Sequence, residues 1–331
     1  MNRIGVGLIF TTSILFIAGL VLWFLSLTPI QISVQQTFNR LSHEEHRIRS
    51  VETTRYDEVK ILFGGDMMFD RYIRTVLRKR GIDYPLAYLK DVLVGADLVV
   101  ANLEGPITDN ASVSETSLIG ARDNYFFTFD PSIALLLKRF HIEAVNIGNN
   151  HILNFNEAGV IQTKQYLEQS NVGYFGSPLS GDNRILLREI KGVKVALVNY
   201  NEFVFQGKEK ALTDIARAKQ EADIVVLYTH WGAEYVPALP KVKELAHSFI
   251  DAGADVIIGS HPHVIQEKEL YQGKTIYYSL GNLVFDQYEE EATRQGLLVK
   301  MTFNQVTKGL SFQDIPVSLL PTGETVLTPE K

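Results

Sequence analysis

The chain has 331 residues, 46% of them hydrophobic and 21% charged, which is globular composition and enough length for one large domain or two small ones. Its net charge is -6 and it carries no dense Lys/Arg block, so nucleic acid is disfavoured as the main partner, because binding a phosphate backbone needs clustered positive charge. Cysteine is absent, which excludes disulfides, thiolate metal sites, a thiol nucleophile and a lipidated cysteine together, while an outer compartment stays open to a chain with a large core.

The first element is apolar. Ile4 to Leu27 carries no charged residue, and a helix of about 20 apolar residues spans a bilayer core. Arg3 precedes the run and Trp23 sits near its far end, where an aromatic ring suits the interface. A cleaved signal peptide has a shorter apolar core followed by a small-x-small site, and Leu25, Leu27 and Pro29 offer none. The expectation is an uncleaved anchor over residues 1–28, with everything after it on the outer face; the orientation rests on Arg3. Residues 29–58 hold the charged stretch HEEHRIRSVETTRYDE and little apolar periodicity, and read as a stalk. His43 and His46 within it read as solvated residues, because no carboxylate pattern accompanies them.

Residues 59–320 read as one domain. Short β-branched runs alternate with helical patterns, the signature of a layered α/β fold. Strands are expected at Lys60–Phe63, Leu98–Ala101, Ala144–Ile147, Lys194–Asn199, Ile224–Thr229, Val256–Ile258 and Thr275–Ser279, with two more at Gly296–Phe303 and Leu310–Val317. Helices are expected at Ile73–Lys79, Pro85–Leu93, Ser132–Phe140, Glu157–Gln169, Leu212–Glu221 and Lys241–Ala252. Ile107–Tyr125 is polar and Ser-rich and reads as a long surface loop, and residues 321–331 as a frayed tail.

Polar residues gather where these strands end. Asp66 follows the first strand in FGGDMMFDR and Glu104 the second in ANLEGP. Asn149, Asn150 and His151 follow the third in NIGNNH; His230 lies in YTHWGAEY, and His261 and His263 in GSHPHV. Ligands bind outside the carboxyl ends of strands in open α/β sheets. Imidazole mixed with carboxylate and amide oxygen suits Zn, Mn or Fe better than Ca, and two neighbouring ions can clamp the oxygens of a transferring phosphoryl group. Singly, each residue has an ordinary reading: His230 as a satisfied structural histidine, Asp66 as a helix cap, Glu104 as a loop acid. Five strand ends together argue for a metal site.

The stretches ILFGGDMMFDR, ANLEGPIT, VNIGNNHILNFNEAG, THWGAEY, DAGADVIIGSHPHVIQ and IYYSLGNLVFDQ resemble, in order, those of the CapA family of poly-γ-glutamate capsule synthesis proteins. The resemblance implies a metallophosphatase-like, calcineurin-like domain, a four-layered αββα sandwich. It also implies a divalent cofactor, one or two ions of Mn, Zn or Fe. It would give Asp66 and His263 to one ion and Asn150, His230 and His261 to a second, with Glu104 bridging and His151 protonating a leaving group. Asn102, Asp70, Asn282 and Asp286 are candidates for supporting roles, each also readable as a turn or capping residue. Two departures stand out: Met68 occupies the position of an expected histidine, and Asn154 that of a frequent aspartate. By this resemblance the chain is expected to act in poly-γ-glutamate synthesis or export, with the membrane, the polymer and membrane synthase subunits as partners. A metal-dependent phosphoesterase-type hydrolase is the alternative, and a non-catalytic scaffold the second. Arg71, Arg74, Arg78, Lys79 and Arg80 could meet the polyanionic polymer, though a basic run at helical spacing also makes an ordinary solvated face.

Overall fold

The computed structural model describes residues 57–329 apart from Asn183, together with Arg40. The apolar run Ile4–Leu27 lies outside the described residues, as does nearly all of the expected stalk. Among the described residues no helix is long and apolar enough to cross a membrane. A compact unit begins at Glu58.

Its framework is a pair of sheets. In the first, β1 (Glu58–Met67), β2 (Leu98–Leu103), β3 (Ile142–Asn146) and β4 (Gly173–Phe175) run parallel. On the other side of β1 the sheet continues antiparallel through β12 (Gln295–Asn304), β13 (Leu310–Leu319) and β14 (Thr325–Leu327). The second sheet runs in the order β5 (Leu186–Ile190), β6 (Val193–Asn201), β7 (Ile224–His230), β8 (Val256–Ser260), β10 (Lys274–Tyr277) and β9 (Lys268–Tyr271). Its four inner strands are parallel and its two edges antiparallel.

Side-chain alternation builds the layers. Ile61, Phe63, Leu98 and Val100 point to one face of the first sheet and pack with Val195, Leu197, Val226 and Ile258 of the second. Leu62, Val99 and Ala101 point the other way, into helices α1 (Arg71–Arg80), α3 (Ser132–Arg139) and α4 (Asn156–Gln169), which contribute Ile73, Ile133 and Val160. Ala196, Val198, Val225 and Leu227 likewise cover α5 (Gly207–Glu221) and α6 (Pro240–Asp251) through Ile215, Ala246 and Phe249. The order is helix, sheet, sheet, helix. Strands buried on both faces must be apolar at successive positions, which is why these runs stand out in the sequence.

Three local expectations need correction. The helix expected over Pro85–Leu93 is a 3-10 turn, Tyr84–Leu89, followed by the five-residue α2 (Lys90–Val94). The chain after Pro321 does not simply fray: β14 pairs with β13, and the buried Thr325 hydroxyl donates to the Leu283 carbonyl at 2.6 Å. Its short run of three residues was too brief to read as a strand. The third, β11 (Asn282–Val284), pairs parallel with the end of β1, setting Asn282 beside Asp66. Gly65 makes that approach possible, since a Cβ there would lie 1.8 Å from the Gly281 carbonyl oxygen.

Candidate metal centre

The carboxyl ends of both sheets deliver the polar residues to one place. The β1–β2 register breaks between Phe63 and Asp66, where Gly64 and Gly65 fall, and Asp66 emerges fully buried. Glu104 follows β2, Asn150 and His151 follow β3, His230 ends β7, and His261 and His263 follow β8. His261 and His263 both hold left-handed backbone, φ 98° and 58°, uncommon for residues with a side chain and typical of functional turns. The His261 amide donates to Asp66 Oδ2 at 3.0 Å, tying the second sheet's loop to the first sheet's carboxylate.

Two interleaved triads have donor atoms within 4.8 Å of one another: Asp66, Glu104 and His230, and Glu104, His261 and His263. Glu104 belongs to both, in keeping with a bridging position. His263 Nδ1 also lies 3.5 Å from Asp66 Oδ2, so the strand ends converge on one volume. Asn150 Oδ1 lies 2.9 Å from His230 Nε2, and His263 Nε2 lies 3.6 Å from Glu104 Oε1. His151 Nε2 is 4.0 Å from the same Glu104 oxygen.

Three of the four imidazoles are aimed by their other nitrogen. His230 Nδ1 lies 3.1 Å from Ser260 Oγ, and that hydroxyl donates onward to the Thr229 carbonyl, so with Nε2 on an ion Nδ1 would carry its proton toward Ser260. His263 Nδ1 meets Asn282 Oδ1 at 3.0 Å, while the Asn282 amide nitrogen is given to the Thr293 carbonyl. His151 Nδ1 meets Asn154 Oδ1 at 3.2 Å, and that oxygen also accepts from the Phe127 amide. In all three the nitrogen left over faces the cluster.

Burial dominates the electrostatics. It pushes Asp66 up to about 6, and it raises Glu104 well above the ordinary carboxylate range, helped by Asp66 beside it. It lowers His151 and His261 to about 4 and His263 to about 3, and it holds His230 well below the ordinary imidazole value. Acids whose pKa burial raises and imidazoles that burial keeps neutral are what a site built for a cation looks like without its charge. A second observation agrees: Glu104 Oε1 and His261 Nδ1 are buried with no hydrogen-bond partner. Buried polar atoms left unpaired cost about 1–3 kcal/mol each. The residues present fit a divalent ion.

Other residues support the cluster, Asn102 among the expected candidates and the aromatic rings beyond what the sequence suggested. Asn102 is the hub: its amide nitrogen reaches Asp66 Oδ1 at 2.8 Å and His230 Nδ1 at 3.3 Å, and its oxygen accepts from Asn146 at 2.9 Å and Asn149 at 3.2 Å. Aromatic rings back the imidazoles: Phe203 lies 4.7 Å from His261, Phe285 4.7 Å from His263 and Phe127 4.4 Å from His151. The Arg71 guanidinium lies 5.2 Å from the Phe127 ring centre and 5.3 Å from that of Phe285, paired with Asp286. A cleft of about 440 Å³ opens here, with Arg71, Tyr125, Tyr235 and Gln287 in its walls.

Met68 is core rather than ligand in character. It is fully buried in the helix-side cluster, and its sulfur accepts from the Asp70 amide at 3.0 Å. Asp70 holds Arg74 and the Thr128 amide, a structural role. Within the basic run on α1, Arg71, Arg74 and Arg78 are paired with Asp286, Asp70 and Glu115, while Lys79 and Arg80 are exposed.

Fold and site together define a two-sheet α/β protein with a buried carboxylate, amide and imidazole cluster suited to divalent cations. The chain belongs to the bacterial capsule synthesis protein family PGA_cap, whose family model matches residues 60–287. It is 30% identical over 255 residues to the PGA biosynthesis protein CapA of Bacillus subtilis strain 168, covering 72% of this chain and 66% of that protein. It is 32% identical over 256 residues to the capsule biosynthesis protein CapA of Bacillus anthracis, covering 67% and 59% respectively. A probable polyglutamine synthesis accessory protein of Mycobacterium tuberculosis is 25% identical, with 80% of this chain and 84% of that one covered. The chain thus spans less than two thirds of the length of either Bacillus relative.

Proposed function

We propose that the chain acts in poly-γ-glutamate synthesis or export, anchored in the cell membrane by Ile4–Leu27 with its metallophosphatase-like domain on the outer face. Family membership over residues 60–287 carries this reading, and the names of the Bacillus relatives supply the polymer. Membrane synthase subunits are the partners it implies. A strain lacking the chain should lose surface poly-γ-glutamate and regain it with the wild-type gene. Unchanged polymer at the surface would overturn the proposal.

The cluster supports a second reading, a metal-dependent hydrolase of a phosphoester or related bond. Asp66, Glu104, Asn150, His230, His261 and His263 would hold one or two ions of Mn, Zn or Fe. A bound ion would supply Lewis-acid polarisation and a water acidified toward neutral pH. The chain's own contribution is orientation. Asn154 fixes the His151 ring with Nε2 toward Glu104, in reach of a leaving group, and Phe127 shields its face. With Nδ1 held by Asn154, Nε2 would take the proton released by the attacking water and hand it to the leaving-group oxygen as that bond breaks. The purified chain supplied with Mn or Zn should turn over a generic phosphodiester, and His151→Ala should reduce the rate by about 100-fold or more. Equal rates for the two proteins would exclude the reading.

A further inference from the structure

A second cavity, of about 200 Å³, opens between the loop after β4 and the loop after β6. Ser177, Arg184, Asn201, Gly207 and Lys210 are among its lining residues, and no carboxylate is. None of the residues assigned above to ions or to proton transfer lines it. The volume holds about six waters at roughly 30 Å³ each, room for one small group.

Three features point to an oxyanion. Asn201 is 3% exposed; its Oδ1 accepts from the Phe203 amide at 3.0 Å, which fixes the amide orientation, and its Nδ2 has no hydrogen-bond partner. A buried donor without an acceptor is costly, and this one belongs to a residue in the cavity wall. Next, the 15-residue helix α5 starts at the cavity with Gly207, and its N-cap residue Gln206 provides no side-chain cap. The Gly207 amide donates to the Val204 carbonyl at 3.2 Å, and the positive end of the helix dipole behind it favours a negative group. Gly207 permits this approach, for a Cβ there would come 2.4 Å from the Asn201 carbonyl oxygen. Finally, Lys210 supplies charge. Its ammonium spends one hydrogen on the Phe205 carbonyl at 2.8 Å and has two more. Arg184, in the wall, grips Asp214 with two bonds of 2.7 and 2.9 Å, Asp182 is held by Lys164 and Ser177, and Glu209 of the same first turn is not a lining residue.

We propose that this cavity is a binding site for a carboxylate or phosphate group, recognised by Asn201 Nδ2, the first turn of α5 and Lys210. The site adjoins the imidazole cluster. Asn201 stands opposite His230 in the β6–β7 register, and Phe203, two residues on, packs against His261. A long anionic molecule could occupy the cavity with one group while another part lies at the cluster.

The test uses the full chain in detergent, with divalent ions removed by a chelator so that anions cannot be held at the cluster. Its outcome is therefore independent of the metal reading. Binding of inorganic phosphate and of a γ-linked glutamate trimer is measured by calorimetry. At least one should bind, and the tighter of the two identifies the natural source of the group. Asn201→Asp keeps the acceptor for Phe203 but replaces the donor with negative charge, and should weaken binding at least tenfold. Lys210→Gln, a half-buried position whose loss does not threaten folding, should weaken it at least threefold. Absence of binding to either probe overturns the proposal, as does affinity unchanged in Lys210→Gln.

Discussion

A carboxylate with no exposed surface and a neighbouring carboxylate is costly when ionised, and Glu104 is in that position beside Asp66. Its raised pKa means that the folded state binds the proton more tightly than the unfolded one. Stability of the metal-free protein therefore falls as pH rises above the ordinary carboxylate range, Asp66 contributing up to about 6 and Glu104 beyond that. Glu104→Gln mimics the protonated form. With chelator at pH 7.5 or so, it should raise stability by about 1–3 kcal/mol, the scale of a buried polar group relieved of strain. Added Mn should stabilise the wild type and leave the variant unmoved. Denaturant melts with and without the ion check both signs. A variant less stable than the wild type under chelation would contradict the charge argument. The Ser260 hydroxyl offers a milder probe. Without it His230 Nδ1 loses its acceptor, so Ser260→Ala should lower metal affinity by about 10-fold or more while preserving the fold. Competitive titration against a chromophoric chelator measures that change.

Between elements, Asp255 shows how short polar junctions hold the second sheet in register. It opens the turn into β8, and its carboxylate accepts from the Val225 amide of β7 at 3.0 Å, Lys219 of α5 at 2.9 Å and Lys274 of β10 at 2.6 Å. Burial alone would raise its pKa, but these donors outweigh it and hold the carboxyl below its ordinary value. A depressed pKa adds stability that is present above the unfolded value and lost as pH falls through the folded one. Asp255→Asn should therefore cost about 1–3 kcal/mol at pH 7 and progressively less below about pH 4. Urea midpoints at the two pH values make the comparison. The long strands were legible because both their faces are buried, so β1, β6 and β7 are apolar almost throughout. The short strands β4, β9, β11 and β14 were not: runs of three or four residues carry too little periodicity. The ligands could be read from strand ends, whereas of their supports Asn102 and Asn282 were readable only as candidates, equally turn or capping residues, and Ser260 was not read at all. Asn282 reaches His263 only through β11, and Ser260 reads as an ordinary strand residue until β7 lies beside it.

At the scale of the whole molecule, the two sheets make unequal but joint contributions to one centre. Asp66, Glu104 and Asn150 come from the first sheet, and His230, His261 and His263 from the second. The apolar layer between the sheets is non-directional and would tolerate small sliding of one over the other. Directional ties at this end include the His261 amide on Asp66, the Tyr228 hydroxyl on the Gly64 carbonyl and the Asn199 amide nitrogen on Asn146 Oδ1. An ion shared by Asp66, Glu104 and His230 would act as a staple between the layers. Because it binds only the folded state, stabilisation follows mass action, about 4 kcal/mol at a thousandfold excess over the dissociation constant. Hydrogen exchange should then report where that stabilisation is felt. Addition of Mn should slow exchange at the carboxyl ends of β1 and β2 and, to a similar degree, at those of β7 and β8, with chelator reversing both. Protection confined to the β8 side would mean an ion held by His261 and His263 alone, with Glu104 left outside it. Coincident protection in both sheets is what an ion bridged by Glu104 requires, since neither sheet supplies a full set of ligands by itself.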